Sequence, residues 1–257
     1  MIGACFAATL TTGAVMTATA DAGGSPALYE CAKVKPKGTG RYNKGCLVEG
    51  KHGSGENDYE VQEGFGKGKL FKAKGTGANL EVTGVGGVGC LKSSAVGKFT
   101  SPTSGADVVA TFGDCEFNGH KCESAGAASG TIVTDTLKGV VGYLAGKGTL
   151  DPKVGTDFTP ETGPFLASFS CGPYEFDVEG AVIGEVSPVN KFSKEAVFTF
   201  RQKAIGVQEW ESFEEGPEQT LQVYLCQSCE NPLTEQEISG DEELEIKAKT
   251  EDLELKA

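Results

Sequence analysis

Cysteines, carboxylates, histidines and a glycine run are the features of this chain whose spacing could do chemistry. Cys226-Gln227-Ser228-Cys229 is a C-x-x-C, a spacing that serves a redox dithiol, half of a zinc site or a structural disulfide. Zinc asks for four ligands, and no second C-x-x-C or histidine pair stands at a matching distance. A redox dithiol asks for a strand running into a helix, yet Pro232 follows almost at once. Disulfides are therefore the expected use of both residues, with each other or with distant cysteines. The same holds for Cys31, Cys46, Cys90, Cys115, Cys122 and Cys171. Cys115 and Cys122 flank a turn-rich insert, so the simplest pairing bridges them across a hairpin and leaves Cys90 to Cys171. Cys31 and Cys46 close a Lys- and Gly-rich loop of about 15 residues, worth about 3 kcal/mol by loop closure.

Carboxylates are the other resource. Glu175, Asp177 and Glu179 alternate along one strand-like run, with about 7 Å between neighbours, which suits the acid and base of an inverting glycosidase. Glu209, Glu211, Glu214 and Glu215 surround Trp210, the single tryptophan, which could stack on a sugar ring. Trp210, Glu175, Asp177 and Glu179 are thus the candidate ligand-binding residues. The plainer reading is that acidic residues on the wet face of a sheet only meet solvent. His52 and His120 lie in glycine-containing loops, and with no G-x-S-x-G elbow and no S-x-x-K there is nothing to build a serine triad around. Gly84-Val85-Gly86-Gly87-Val88-Gly89 matches G-x-G-x-x-G. The residues after it, Cys90 to Ser94 and then Gly97, make a poor helix, so no helix N-terminus gathers amides for a pyrophosphate. We read a glycine-rich turn and expect neither cofactor nor metal.

The elements that must position these residues read as strands. Phe165, Ala167, Phe169 and Cys171 alternate on one face. Tyr174, Phe176, Val178 and Val182 share another, with Glu175, Asp177 and Glu179 opposite. Ala196, Phe198 and Phe200 repeat the pattern, as do Leu221, Val223 and Leu225, and Val108, Ala110 and Phe112. Strict alternation marks half-buried antiparallel strands. Weaker strands lie near 69–73, 79–83, 131–134 and 139–144. Turn signals at Gly75-Thr76-Gly77 and Asn118-Gly119 separate them, giving roughly ten to twelve strands. The expected fold is all-β: an antiparallel β-sandwich or barrel-like domain with a small disulfide-closed N-terminal arm. Its expected divisions are a signal peptide over 1–20, the arm over 21–60, the main β domain over 61–232, and an acidic C-terminal strand or extension over 233–257. That last segment holds a repeat: Glu243-Leu244-Glu245-Ile246-Lys247-Ala248 recurs as Asp252-Leu253-Glu254-Leu255-Lys256-Ala257. Either copy can be a strand, and the two could compete for one place in the sheet. The plain reading is one final strand and a solvated tail; the sharper one is a strand offered to a partner's edge.

Charge bounds the partners. The net charge is −13, made of +2 over residues 1–150 and −15 over residues 151–257. Arg41 and Arg201 are the only arginines. An acidic field with so few bidentate readers excludes nucleic acid and anionic lipid as natural partners. An unknown extracellular ligand or cell-envelope component is expected instead. Ala18-Thr19-Ala20 ends a small-residue stretch as an export cleavage site does, and removing that stretch takes away Cys5 and leaves an even eight cysteines. Ile2-Gly3-Ala4-Cys5 also looks like a lipobox, which would acylate Cys5, and a third reading is that the N-terminus is not secretory. No later stretch reaches the ~18 apolar residues of a transmembrane helix.

Tyr29-Glu30-Cys31-Ala32-Lys33-Val34, Gly40-Arg41-Tyr42 with Cys46, Phe112-Gly113-Asp114-Cys115, Cys122-Glu123-Ser124-Ala125-Gly126 and Gly163-Pro164-Phe165 together resemble uncharacterised secreted proteins of soil actinobacteria. The resemblance spans about residues 29–201. It implies secretion and a β-rich, disulfide-held fold, and carries over no functional residue. Cys226 and Cys229 fall outside its pattern. The leading expectation is a non-enzymatic extracellular binding or structural protein; the alternative is a secreted carbohydrate-active hydrolase using a carboxylate pair.

Overall fold

The computed structural model describes residues 24–46, 49–50, 57–64, 69–204, 206–227, 234–236 and 244–257, with 234–236 and 244–253 as backbone. Cys5 with the expected leader, His52 and Cys229 lie outside the described residues. Every described element is a strand. The first are β1 (Ala27–Lys33), β2 (Tyr59–Glu63), β3 (Leu70–Val82), β4 (Gly86–Ser101) and β5 (Ser104–Gly113). Next come β6 (Glu116–Phe117), β7 (His120–Glu123), β8 (Thr131–Val133), β9 (Leu137–Ala145), β10 (Lys153–Pro160), β11 (Phe165–Cys171) and β12 (Tyr174–Gly180). The last are β13 (Val182–Ser187), β14 (Ser193–Phe200), β15 (Gln202–Ala204), β16 (Val207–Gln208), β17 (Leu221–Gln227), β18 (Thr234–Gln236) and β19 (Leu244–Lys256).

The all-β expectation holds, but the strands outnumber it. Pieces of two or three residues are too short to show a period, and the glycine-rich β3 and β4 hide theirs. Gly75-Thr76-Gly77 is not a turn: Gly75 and Thr76 stay in the β3–β4 ladder, opposite Ser93 and Lys92. Partners on both sides of β3 override the local turn preference there. Val182 leaves its expected face-mates as well, because the chain breaks at Gly180 and Ala181 and Val182 opens β13.

Eight strands close into a ring. β3 pairs with β4, β4 with β5, β5 with β9, and β9 with β10. β10 then pairs with β13, β13 with β14, β14 with β19, and β19 with β3, every pair antiparallel. This is an up-and-down barrel, whose closure leaves no edge in the ring. Phe71 and Ala73 face inward while Leu70, Lys72 and Lys74 face water. The same alternation turns Phe198 and Phe200 of β14, and Val108 and Phe112 of β5, toward the interior.

β19 is the closing strand, and it absorbs the C-terminal repeat. Its first part pairs with β14 and β3, and its last part, Leu253 to Lys256, pairs with β1. From Leu244 onward the expected acidic tail is thus a continuous strand that runs through the described residues of both copies, paired within the chain rather than competing for one slot. β1 carries β2 on its other side. The arm is held by the Cys31–Cys46 disulfide, Cα atoms 5.7 Å apart, as the sequence suggested. It marks one end of the barrel, where β3 and β5 begin and β13 ends.

The opposite end is closed by a second sheet. The far parts of β3 and β4 outrun the barrel, and β4 picks up β6 at Gly89 and Glu116. A two-residue turn then joins β6 to β7, with Asn118 and Gly119 at φ 48° and 78°, the paired positive values a tight hairpin demands. β7 pairs with β11, β11 with β12, β12 with β17 and β17 with β18. The inner face of this sheet buries Phe169, Phe176, Val178 and Val223 in one cluster with Phe71, Val108 and Leu137 of the barrel. Phe169 stacks on Phe176 at 4.9 Å, and Phe117 meets Phe176 edge-on at 5.1 Å. Each such pair contributes about 1 kcal/mol beyond its buried area.

The disulfides in this region correct the pairing read from sequence. Cys90 joins Cys115 and Cys122 joins Cys171, each with Cα atoms 4.0 Å apart. The hairpin does set Cys115 and Cys122 opposite each other, but Cys122 N–H donates to Cys115 O at 3.0 Å. Each sulfur instead turns to the strand on its other side, where β4 brings Cys90 across from Cys115 and β11 brings Cys171 across from Cys122. The four cysteines form one buried row across four strands, tying the barrel's longest strand to the closing sheet. Cys226 is also disulfide-bonded.

Candidate functional site

The residues nominated from sequence do not converge. Glu175, Asp177 and Glu179 lie on the solvent face of β12, opposite Cys226, Tyr224 and Gln222 of β17. Trp210 lies elsewhere, on the segment between β16 and β17 that wraps the outer wall of the barrel. The Lys153 ammonium of β10 sits 5.2 Å from its ring centroid, so one indole face already holds a cation. Three of the four acidic residues around Trp210 are engaged in holding this strap. Glu209 pairs with Arg201 at 3.5 Å, and Glu215 with Lys147 at 3.2 Å. The Glu214 carboxylate accepts from the Gly146 and Lys147 amides at 2.8 and 3.1 Å. Phe213 lies against Gly142 of β9 so closely that a Cβ there would stand 2.5 Å from the ring.

Beneath the strap, Asp157 of β10 points outward between Val140 and Ile183 of the neighbouring strands. One of its carboxyl oxygens is buried without a hydrogen-bond partner. Burial pushes its pKa from 3.8 up to about 6, with Lys138 pulling weakly the other way. His120 is exposed at the β6–β7 hairpin, beside Tyr174 at 6.2 Å between ring centroids. Of the run from Gly84 to Gly89 only Gly84 and Val85 lie in a turn, and Gly86 already opens strand β4, so no helix starts there.

The concave site of the molecule is inside the barrel. A cavity of about 160 Å³ lies where the second sheet closes the barrel end. Barrel side chains such as Phe71, Val108, Phe112, Phe158, Phe198 and Phe200 make its wall, and Leu166, Ala167, Phe169 and Val178 of the closing sheet make its floor. Asn79, Thr134, Arg201 and Gln208 are its polar neighbours, and each is engaged with the protein. Gln208 Nε2 donates to Ala181 O at 3.1 Å, and Gln208 Oε1 accepts from Ile183 N at 3.2 Å. Thr134 Oγ1 accepts from Ala110 N at 2.9 Å, and Asn79 donates to Glu81 at 3.3 Å. Arg201 is paired with Glu209 and, at 3.9 Å, with Glu185. An occupant would meet apolar wall and polar groups whose bonds are already made.

A second cavity of about 70 Å³ lies toward the arm end, lined by Leu28, Phe99, Val141, Val186, Pro188 and Leu255 and by the hydroxyl residues Ser104, Thr156 and Ser193. Neither cavity is lined by Trp210, Glu175, Asp177 or Glu179. The inward alternation of Val108 to Phe112 and Ala196 to Phe200 was visible in the sequence as buried strand faces. It carried no sign that those faces surround a space instead of packing on one another. No helix among the described residues is long and apolar enough to cross a membrane. The chain matches no family model, no curated protein and no solved structure.

Proposed function

We propose that this chain is an extracellular, non-enzymatic binding protein that carries a small apolar molecule inside its barrel. The observation that supports this reading is the lining of the larger cavity: apolar side chains from the barrel and its closing sheet, with each polar neighbour already bonded to protein. An eight-stranded barrel has an interior just wide enough for side chains or one small ligand. An apolar cavity near 150 Å³ is large enough to take a benzene-sized guest. Affinity would come from apolar surface removed from water, about 25 cal/mol per Å², with shape deciding specificity. Extracellular placement rests on the disulfides and on the resemblance to secreted actinobacterial proteins.

The test fills the cavity. Ala110 lines it from β5, and Ala110→Phe places a ring inside. Titration of the purified chain with a small uncharged naphthalene dye should give saturable binding to wild type. Binding should be lost in Ala110→Phe while the urea midpoint stays the same or rises. Equal binding by a folded Ala110→Phe would place the dye elsewhere and overturn the reading.

A further inference from the structure

The two cavities meet at a partition of side chains rather than backbone. Phe71, Val108, Phe158 and Phe198 line both. Phe158 stands 6.1 Å from Phe198 and 6.2 Å from Phe200, ring centre to ring centre. The partition rings lie back against the wall at glycines. A Cβ on Gly97 of β4 would come within 2.5 Å of the Phe71 ring, and one on Gly139 of β9 within 3.1 Å of Phe158. Glycine inside a strand marks such a close approach, and here it gives the rings room at the wall of the lumen. Rings divided only by one another's edges can turn aside without moving a strand.

We propose that the two cavities are one lumen crossed by a phenylalanine partition, and that its ligand is an unbranched aliphatic chain with an uncharged head. This rests on the barrel-interior reading above. The chain would extend from the arm end past Phe71, Phe158 and Phe198 into the larger cavity, with its head among Ser104, Thr156 and Ser193. An anionic head is disfavoured because the arm-end cavity offers it nothing: the one ionisable residue on its wall is an acid, the exposed Glu195. In the deeper cavity the one cationic side chain, Arg201, is shared between Glu185 and Glu209.

The experiment is a homologous series, hexanol, octanol and decanol, with decanoate as the anionic counterpart, each displacing the naphthalene dye from the wild-type chain. In a continuous lumen every added methylene enters apolar wall and raises affinity about fourfold, with no break between hexanol and decanol, and decanoate binds more weakly than decanol. A rise that stops at hexanol overturns the single lumen and leaves the smaller-ligand reading standing. Failure of every alcohol to displace bound dye overturns both. Decanoate equal to decanol overturns the uncharged head. Phe158→Trp enlarges the partition, so it should lower decanol binding more than hexanol binding and flatten the rise across the series. Unchanged decanol binding by that folded variant would remove Phe158 from the path.

Discussion

Replacing Asp157 with asparagine should stabilise the chain at neutral pH and do nothing for it in acid. The carboxyl lies on the outer wall between Val140 and Ile183, one oxygen buried without a partner. Burial raises its pKa from 3.8 to about 6, against a weaker opposing pull from Lys138. The folded chain therefore holds this proton more tightly than the unfolded chain does. Below about pH 4 both states are protonated and the group costs nothing; between about pH 4 and 6 the cost grows, and above that it is complete. The gap between 3.8 and about 6 corresponds to at most about 3 kcal/mol, and water still reaching part of the carboxyl reduces this to about 1–2 kcal/mol. Asparagine keeps the shape and removes the charge, though its amide still lacks a partner, so we expect a gain of about 1 kcal/mol at pH 8. Urea unfolding of wild type and Asp157→Asn at pH 4 and pH 8 reads this directly, since other titrating groups cancel in the difference. The same difference at both pH values would refute the argument, because it would mean that Asp157 does not change charge between them.

The wall and its staples can be tested as well. Non-reducing peptide mapping should recover Cys90 with Cys115 and Cys122 with Cys171, and a Cys115–Cys122 peptide would contradict both of these links. Serine at both Cys122 and Cys171, which close a 49-residue separation, should cost about 4 kcal/mol by urea unfolding. The 25-residue Cys90–Cys115 link should cost about 3.5 kcal/mol. Gly142→Ala puts a methyl into the Phe213 ring and should cost about 1–3 kcal/mol as overpacking. Because Trp210 is the single tryptophan and its indole N–H is buried in the same strap, its emission should shift to the red; an unshifted spectrum would mean that the strap does not depend on this contact.

The fold was legible where a strand keeps one wet face. Tyr174 to Val178, Ala196 to Phe200 and Leu221 to Leu225 announced themselves by period, and the Cys31–Cys46 arm by its spacing. β3 was legible only at its two ends, near 69–73 and 79–83, and β4 not at all, because their glycines answer to ring packing at Gly97 and to pairing on both sides at Gly75, neither of which leaves a local trace. Cys90, Cys115, Cys122 and Cys171 were recognisable as bridge-formers, but which pairs form depends on the strand order β4, β6, β7, β11, a long-range fact. The candidate site was the least legible part. Acidic residues around Trp210 looked like a binding face because sequence shows charge and not its partners; Arg201, Lys147 and the Gly146 amide claim three of them. An apolar lumen reads as ordinary core, since Phe158 and Phe198 face inward in either case.

The central claim is that the barrel interior accepts a small apolar guest, and a crystal of the chain pressurised with xenon tests it most directly. Xenon binds apolar cavities of this size without needing a polar contact. The account predicts anomalous density inside the barrel, bounded by Phe71, Val108, Phe158 and Phe198. Xenon bound only outside the barrel, or a lumen filled by ordered water bonded to its wall, would contradict it.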